Sequence, residues 1–156
     1  MAAAISGKTR HLFYADGYFV GLTVDASFGG AISTEAGGLL ITRGDDKGWH
    51  ILRDKGAGMI SDIQVSGGIE VSKFYFTGSV NDLNLYTFGG LRGEANLNLT
   101  LLPFVSAGVT GSYANVKGGK LFSLGNTISI GASALEFLFA NVGLNYGQST
   151  VQYGNK

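Results

Sequence analysis

Hydrophobic and polar residues alternate along much of the chain, most regularly in the segment 95–101, ANLNLTL. Leucines occupy one set of alternate positions, and asparagine or threonine occupies the other. Successive side chains point to opposite sides only in an extended backbone, so this period of two predicts a β-strand with one apolar and one polar face. The alternation resumes at Phe104, after Leu102 and Pro103. Two alternating runs with such a break predict an antiparallel hairpin.

The same period recurs on both sides of this hairpin. Further strands are predicted at 18–29, 31–33, 38–42, 49–52, 61–71, 73–80, 121–124, 127–139 and 141–153, with 83–88 leading into the hairpin. The short segments 31–33 and 38–42 are expected to pair across a turn at 35–37. The apolar run ALEFLFANVGL, which contains Glu136, has the composition of a strand or a short helix, and its β-rich flanks favour the strand.

These segments predict an all-β protein with about eight to ten antiparallel strands and no alternation of strands with helices. A closed barrel or closed meander is favoured over a sandwich, because open edges rich in valine and phenylalanine would pair with other chains. We expect one domain over residues 1–156, with 1–16 as a lead-in segment.

The composition fits a small curved barrel. The chain has 26 glycines, one proline and 14% charged residues, whereas about 25% is usual for charged residues. The glycines lie among bulky apolar residues without a three-residue period, so neither collagen nor a flexible linker is indicated. Glycine within strands permits bulges and close approach of neighbouring backbones.

The charge and cysteine content exclude several classes of function. The formal net charge is zero, and without a basic excess nucleic acid is not an expected partner. The absence of cysteine removes disulfides, thiolate metal sites and cysteine nucleophiles. No apolar window is long enough for a membrane-spanning helix. The first residues lack the pattern of a secretory signal, so we expect that the protein stays inside the cell, that it leaves by another route, or that the sequence begins after a removed segment.

The most polar segment is 43–55, RGDDKGWHILRDK. Its candidate site residues, taken as a tentative surface loop, are Asp45, Asp46, Trp49 and His50. A histidine beside carboxylates could bind a metal or act as a general base, but Asp-Asp-Lys-Gly is typical of a charged turn, which is the favoured interpretation. The other histidine, His11, is the second candidate for proton transfer near neutral pH. Phosphate-loop and nucleophile-elbow motifs are absent. We therefore predict no enzymatic activity, no catalytic residue, no cofactor and no metal.

The second half of the chain is nearly uncharged. From residue 95 onwards the only charged residues are Lys117, Lys120, Glu136 and Lys156. A soluble barrel hides its apolar faces inside, whereas a membrane barrel turns them to lipid. Alternation does not distinguish the two, but the missing charge favours lipid, a protein partner or self-assembly. Two features oppose an integral barrel: several predicted strands are shorter than the roughly 9–11 residues that span a bilayer, and glycine doublets interrupt others.

The segment FTGSVNDLN, which begins at Phe76, followed by GGLRGEANLNLTLLPFVSAGVTGSY and a closing strand at Ile130–Tyr146, resembles glycine-rich β domains near the C-termini of Rhs-type and other polymorphic toxin proteins. The resemblance covers Tyr18–Tyr146. It implies a delivered effector or an accessory barrel that acts at a target cell, with membrane as one target. It carries over no catalytic residue.

The sequence therefore predicts a non-enzymatic, secreted or cell-surface barrel, toxin-like or an assembly subunit, that acts through membrane or protein-surface association. Its expected partners are membrane lipid or other protein chains, including copies of itself. Two alternatives are an integral eight-stranded barrel of the outer membrane and a soluble calyx for a small apolar ligand.

Overall fold

The computed structural model describes residues 14–28, 30–60, 63–133 and 140–154. In this part of the chain, eight antiparallel strands form a closed barrel, which confirms the predicted fold class. The strands are β1 (Gly17–Ser27), β2 (Ala31–Ile41), β3 (Gly48–Ile60), β4 (Gln64–Phe76), β5 (Gly90–Leu102), β6 (Val105–Val116), β7 (Gly119–Ser133) and β8 (Ala140–Tyr153). Two short 3-10 helices, Val80–Asp82 and Leu85–Phe88, lie between β4 and β5.

The order of strands around the barrel is β1-β2-β3-β8-β5-β6-β7-β4. The barrel is therefore not a meander, because the β3–β4, β4–β5 and β7–β8 connections join strands that are not neighbours. One end of the barrel carries the β2–β3, β4–β5 and β6–β7 connections, and we call it the plugged end. The opposite end carries the β1–β2 and β5–β6 connections, and we call it the apolar end.

The strands are strongly tilted. From Val20 on β1, pairing through β2 and β3 leads to Gln152 on β8. Pairing in the other direction leads to Val142, ten residues away (152 minus 142). A stagger of this size tilts eight strands by roughly 40° and leaves an interior just wide enough for side chains.

The strands are longer than the sequence indicated, and three predicted breaks were wrong. β2 continues through the predicted turn at 35–37, β4 joins the two predicted strands on either side of Ser72, and β7 continues through residues 125 and 126. All eight strands have 11 to 15 residues. Length is therefore no objection to crossing a bilayer. The segment 77–80, predicted as the end of a strand, lies outside the strands, and the segment predicted to lead into the hairpin, 83–88, contains the second 3-10 helix.

The turn predicted at 35–37 was wrong because Gly37 has a packing role there and does not form a turn. A Cβ atom at Gly37 would lie 2.2 Å from the carbonyl oxygen of Val20 and 2.4 Å from the Cα of Gly21. Glycine here lets β1 and β2 approach closely, which is a packing requirement that sequence patterns do not separate from a turn.

The predicted central hairpin is confirmed. β5 and β6 pair with Leu97 opposite Val109, and the break falls at Pro103 and Phe104. Phe104 has a positive φ of 67°. The segment 134–139 with Glu136, and the lead-in up to residue 13 with His11, lie outside the described residues.

Replacing Gly37 by alanine is expected to lower the free energy of unfolding by about 1–3 kcal/mol, because main-chain atoms of β1 must move to admit the methyl group. The matched control is Gly93→Ala in β5, where an added Cβ meets no atom within 4 Å. That change should leave stability unchanged or raise it by up to about 1 kcal/mol. Urea denaturation of both variants measures the difference, and equal stabilities would contradict the close approach.

Candidate functional surfaces and the barrel interior

The leucine face of the segment 95–101 points outward. Leu97, Leu99 and Leu101 are 45%, 48% and 61% exposed, whereas Asn96 and Asn98 line the interior. This arrangement is the reverse of a soluble barrel, which hides its apolar faces from water.

The same orientation extends around the barrel on the side of the apolar end. The exposed side chains of this surface, which we call the apolar band, are Val20, Leu22, Val24, Ile32, Met59, Val65, Ile69, Val71, Leu97, Leu99, Leu101, Val109, Ile128, Ile130, Val142 and Leu144. Beyond them, Phe28 and Phe104 are exposed at the tip of the apolar end. Arg53 and Lys55 on β3 also point outward, so the band is narrower along β3 than along β1, β4 and β5.

Closer to the plugged end, the outer surface is mixed: aromatic and polar side chains are exposed there together with Ile51, Leu91 and Leu124. Exposed rings there form what we call the aromatic girdle: Tyr18, Trp49, Tyr113, Phe122 and Tyr153. Lys73, Lys120 and Gln152 are exposed beside them, and the Lys120 ammonium lies 5.9 Å from the ring centroid of Tyr113. Amphipathic aromatic residues of this kind collect at membrane–water interfaces.

The interior of the barrel is apolar at the plugged end and polar beyond it. At the plugged end it is filled by what we call the apolar plug, buried side chains from six strands and from the β4–β5 connection: Phe19, Leu39, Ile41, Leu52, Phe74, Phe76, Ala114, Leu121, Leu83, Leu85 and Phe88. The rings of Phe74 and Phe88 meet edge to face at 5.7 Å. The interior of the plugged end is thus apolar, as the interior of a soluble barrel is.

A buried carboxylate, a partly buried carboxylate and a helix cap hold the plug in place. Asp16 accepts hydrogen bonds from the Phe76 amide at 2.7 Å and from Nε of Arg43 at 2.7 Å. The carboxylate of Asp46 accepts one from the Leu85 amide at 2.8 Å. Asn84 and Thr87 cap the second 3-10 helix, each side chain bonded to the main chain of that turn.

The predicted surface loop therefore has a structural role in part. Asp45 and Trp49 are exposed. His50 is only 8% exposed, and its Nε2 lies 2.7 Å from the main-chain oxygen of Asp46. The Gly154 amide lies 3.5 Å from the other ring nitrogen, Nδ1, so within the described part of the chain both ring nitrogens of His50 contact main-chain atoms and neither contacts a carboxylate.

Replacing Asp46 by alanine is expected to destabilise the barrel by about 1.5–3 kcal/mol, because the buried Leu85 amide loses a charged acceptor. Asp45→Ala is the matched control, since Asp45 is exposed and should change stability by less than about 0.5 kcal/mol. Thermal or urea denaturation measures both, and equal effects would show that Asp46 does not anchor the plug.

Beyond the plug, the interior of the barrel is polar and acidic. We call this region the acidic chamber. Its charged side chains are Asp25, Glu35, Asp54, Glu70, Glu94 and Arg92, and it encloses a cavity of about 50 Å³. Hydroxyl and amide groups complete the lining, so it offers no counterpart to an apolar ligand, and the predicted calyx receives no support.

Arg92 lies at the boundary between plug and chamber. Its guanidinium pairs with Asp54, which also accepts a hydrogen bond from the Ser149 hydroxyl at 2.9 Å. The same guanidinium lies 5.7 Å from the ring centroid of Phe74. Glu70 accepts hydrogen bonds from Ser72 and, at 3.4 Å, from Thr127.

The chamber residues were not among the predicted site residues, although the sequence contains a signal for them. Arg92 and Glu94 occupy the same alternate positions as Asn96 and Asn98, and all four side chains line the interior. When the apolar face of a strand points outward, charged residues at the same alternate positions as its polar residues point into the barrel.

Comparison with known proteins adds little. No protein-family model matches the sequence, and no curated protein matches it. Among solved structures, the chain is similar to amphioxus green fluorescent protein, with 10% sequence identity and a TM-score of 0.29, covering 84% of this chain and 95% of the other. A likeness this weak supports no argument about function. The resemblance to polymorphic toxin domains stays a prediction. No helix among the described residues has the length and hydropathy needed to cross a membrane.

Proposed function

We propose that this protein is a non-enzymatic barrel that inserts its apolar half into a lipid bilayer. The observation that supports this most strongly is the reversal along the barrel axis. Near the plugged end, apolar side chains fill the interior and the outer surface is a mixture of aromatic, polar and apolar side chains, whereas towards the apolar end the interior is polar and the outer surface is apolar. A membrane barrel needs the second arrangement and a water-exposed barrel the first.

The magnitudes favour lipid over water for the apolar band. Fully burying one valine, leucine or isoleucine is worth about 1.5–3 kcal/mol, so covering these half-exposed side chains would gain on the order of 10–20 kcal/mol. Placing a cation at the middle of a bilayer costs about 2–4 kcal/mol, and less near its surface. Arg53 and Lys55 therefore reduce the gain without cancelling it.

The same features suggest an orientation. The apolar end enters the membrane first, and the aromatic girdle rests at the interface, with the plugged end in water. Because the plug fills the interior at that end, the proposed role is anchoring and surface association, not conduction. Secretion or cell-surface exposure is part of this proposal, with an outer membrane, or a target-cell membrane in a toxin-like protein, as the host bilayer.

Flotation with phospholipid vesicles tests the proposal. Purified protein in detergent is diluted into vesicles loaded with a small dye, and the vesicles are floated on a density gradient. We expect the protein to float, the emission of Trp49 to shift to shorter wavelength, and the dye to stay inside. Dye release would favour the toxin-like version and would contradict the sealed plug.

Two results would overturn membrane insertion. One is a protein that stays monodisperse as a monomer without detergent and does not float. The other is a defined oligomer in detergent-free buffer that does not float, which would assign the apolar band to contacts between copies of the chain.

A further inference from the structure

We propose that the acidic chamber binds one small divalent cation that keeps part of its water shell. This inference concerns the barrel interior, and it holds whether or not the outer surface meets lipid. Burying several carboxylates beside a single guanidinium costs free energy unless protons or a cation balance them. The pairing of Arg92 with Asp54 leaves four further acidic side chains in the lining: Asp25, Glu35, Glu70 and Glu94.

A second observation, independent of the acidic residues, indicates an occupant. Asn145 is only 6% exposed and lines the chamber, yet neither its amide oxygen nor its amide nitrogen has a hydrogen-bond partner among the described residues. The hydroxyl of Thr23, another buried lining residue, is likewise without a partner within that part of the chain. Buried polar groups nearly always have hydrogen-bond partners, so the cavity should hold partners for the Asn145 amide and the Thr23 hydroxyl.

The register brings the amide and a carboxylate together. Asn145 on β8 is directly opposite Glu94 on β5, and both side chains line the chamber. Directly opposed residues on one face have Cβ atoms about 4.5–5.5 Å apart. An oxygen from each can therefore face the same ion.

The size of the cavity and the spacing of the acids suggest a partly hydrated ion. A cavity needs at least about 10–15 Å³ to hold one water, so a cavity of about 50 Å³ has room for an ion with part of its water shell. In the described part of the chain, no three histidine or acidic side chains are arranged to hold a metal directly. Mg²⁺ commonly keeps several waters and binds through one or two carboxylates, whereas Ca²⁺ takes more protein oxygens. Mg²⁺ is therefore the first probe, and Ca²⁺ the second.

The test is thermal denaturation of chelator-treated protein, in the solvent that keeps it monodisperse, during titration with MgCl₂ or CaCl₂ at constant ionic strength. We expect a saturable rise in Tm, of about 5–10 °C at a hundredfold excess over the Kd. Glu94→Gln and Asn145→Leu should each weaken the apparent affinity at least tenfold. Asp45→Asn, which removes an exposed acid outside the chamber, should not change it.

Three outcomes would overturn the cation site. The first is no saturable rise with either metal. The second is an equal rise in the Glu94→Gln variant. The third is a Tm that neither metal changes but that increases as the pH is lowered, which would show that protons neutralise the carboxylates of the chamber. Should a variant fail to fold, isothermal titration of the unmodified protein with each metal decides, and zero binding heat together with no Tm change would refute the site.

Discussion

Replacing Leu97 by arginine is expected to weaken binding to phospholipid vesicles by between about 30-fold and about 1,000-fold. Leu97 lies in the apolar band on β5, directly between Val109 on β6 and Val142 on β8. A cation at the middle of the lipid-facing surface of a barrel costs about 2–4 kcal/mol, and each 1.36 kcal/mol is a factor of ten. The partition of the protein between buffer and vesicles, measured by flotation at several lipid concentrations, gives the ratio.

Gln152→Arg is the matched control for Leu97→Arg. It introduces the same side chain on the outside of the barrel, but on the part of β8 that lies at the plugged end, where Gln152 is exposed opposite Ile51. We expect it to change vesicle binding by less than about threefold, since charges near the interface cost about 0–1 kcal/mol. Equal binding by Leu97→Arg, Gln152→Arg and the unmodified protein would exclude lipid contact at Leu97.

Replacing Arg92 by leucine is expected to lower the free energy of unfolding by about 3–5 kcal/mol. Arg92 pairs with Asp54 in the interior, and both side chains are at most 10% exposed. Removing one partner of a buried ion pair leaves the other charge uncompensated, which is far more costly than the net worth of the pair. Urea denaturation followed through Trp49, the single tryptophan, measures the change.

Arg53→Leu provides the control, because Arg53 is next to Asp54 in sequence but points outward. Its effect on stability should stay within about 0.5 kcal/mol. The double variant Arg92→Leu/Asp54→Leu should recover most of the loss, since it removes both charges. A loss below about 1 kcal/mol in Arg92→Leu would show that the pair is not a buried one.

The local alternation of residues was enough to predict the barrel class and its central hairpin. It could not reveal which face of a strand points outward, because a period of two is the same for a soluble and a membrane barrel. That orientation depends on which side of the sheet closes inward, and the leucines of β5 show it only in three dimensions. From the sequence, this face could therefore contact lipid, protein or solvent.

The plug and the strand order could not be predicted from the sequence, for a different reason. Leu83, Asn84, Leu85 and Tyr86 alternate as a strand would, yet the caps of Asn84 and Thr87 turn the chain into a 3-10 helix. Which strands pair across the barrel is a matter of long-range register, and no local pattern encodes the contact of β3 with β8. The chamber charges are spread over β1, β2, β3, β4 and β5, so only closure of the sheet brings them together.

We propose that the outer surface meets lipid on one half of the barrel and water on the other. Because the chain has no cysteine, a nitroxide can be attached to a single introduced cysteine at Val109 or at Asn115, both exposed on β6. In vesicles, we predict that the label at 109 collides mainly with lipid-soluble oxygen and the label at 115 mainly with a water-soluble nickel chelate. A label at 109 that is reached by the nickel chelate as readily as the label at 115, or that is shielded from both reagents, would contradict the account.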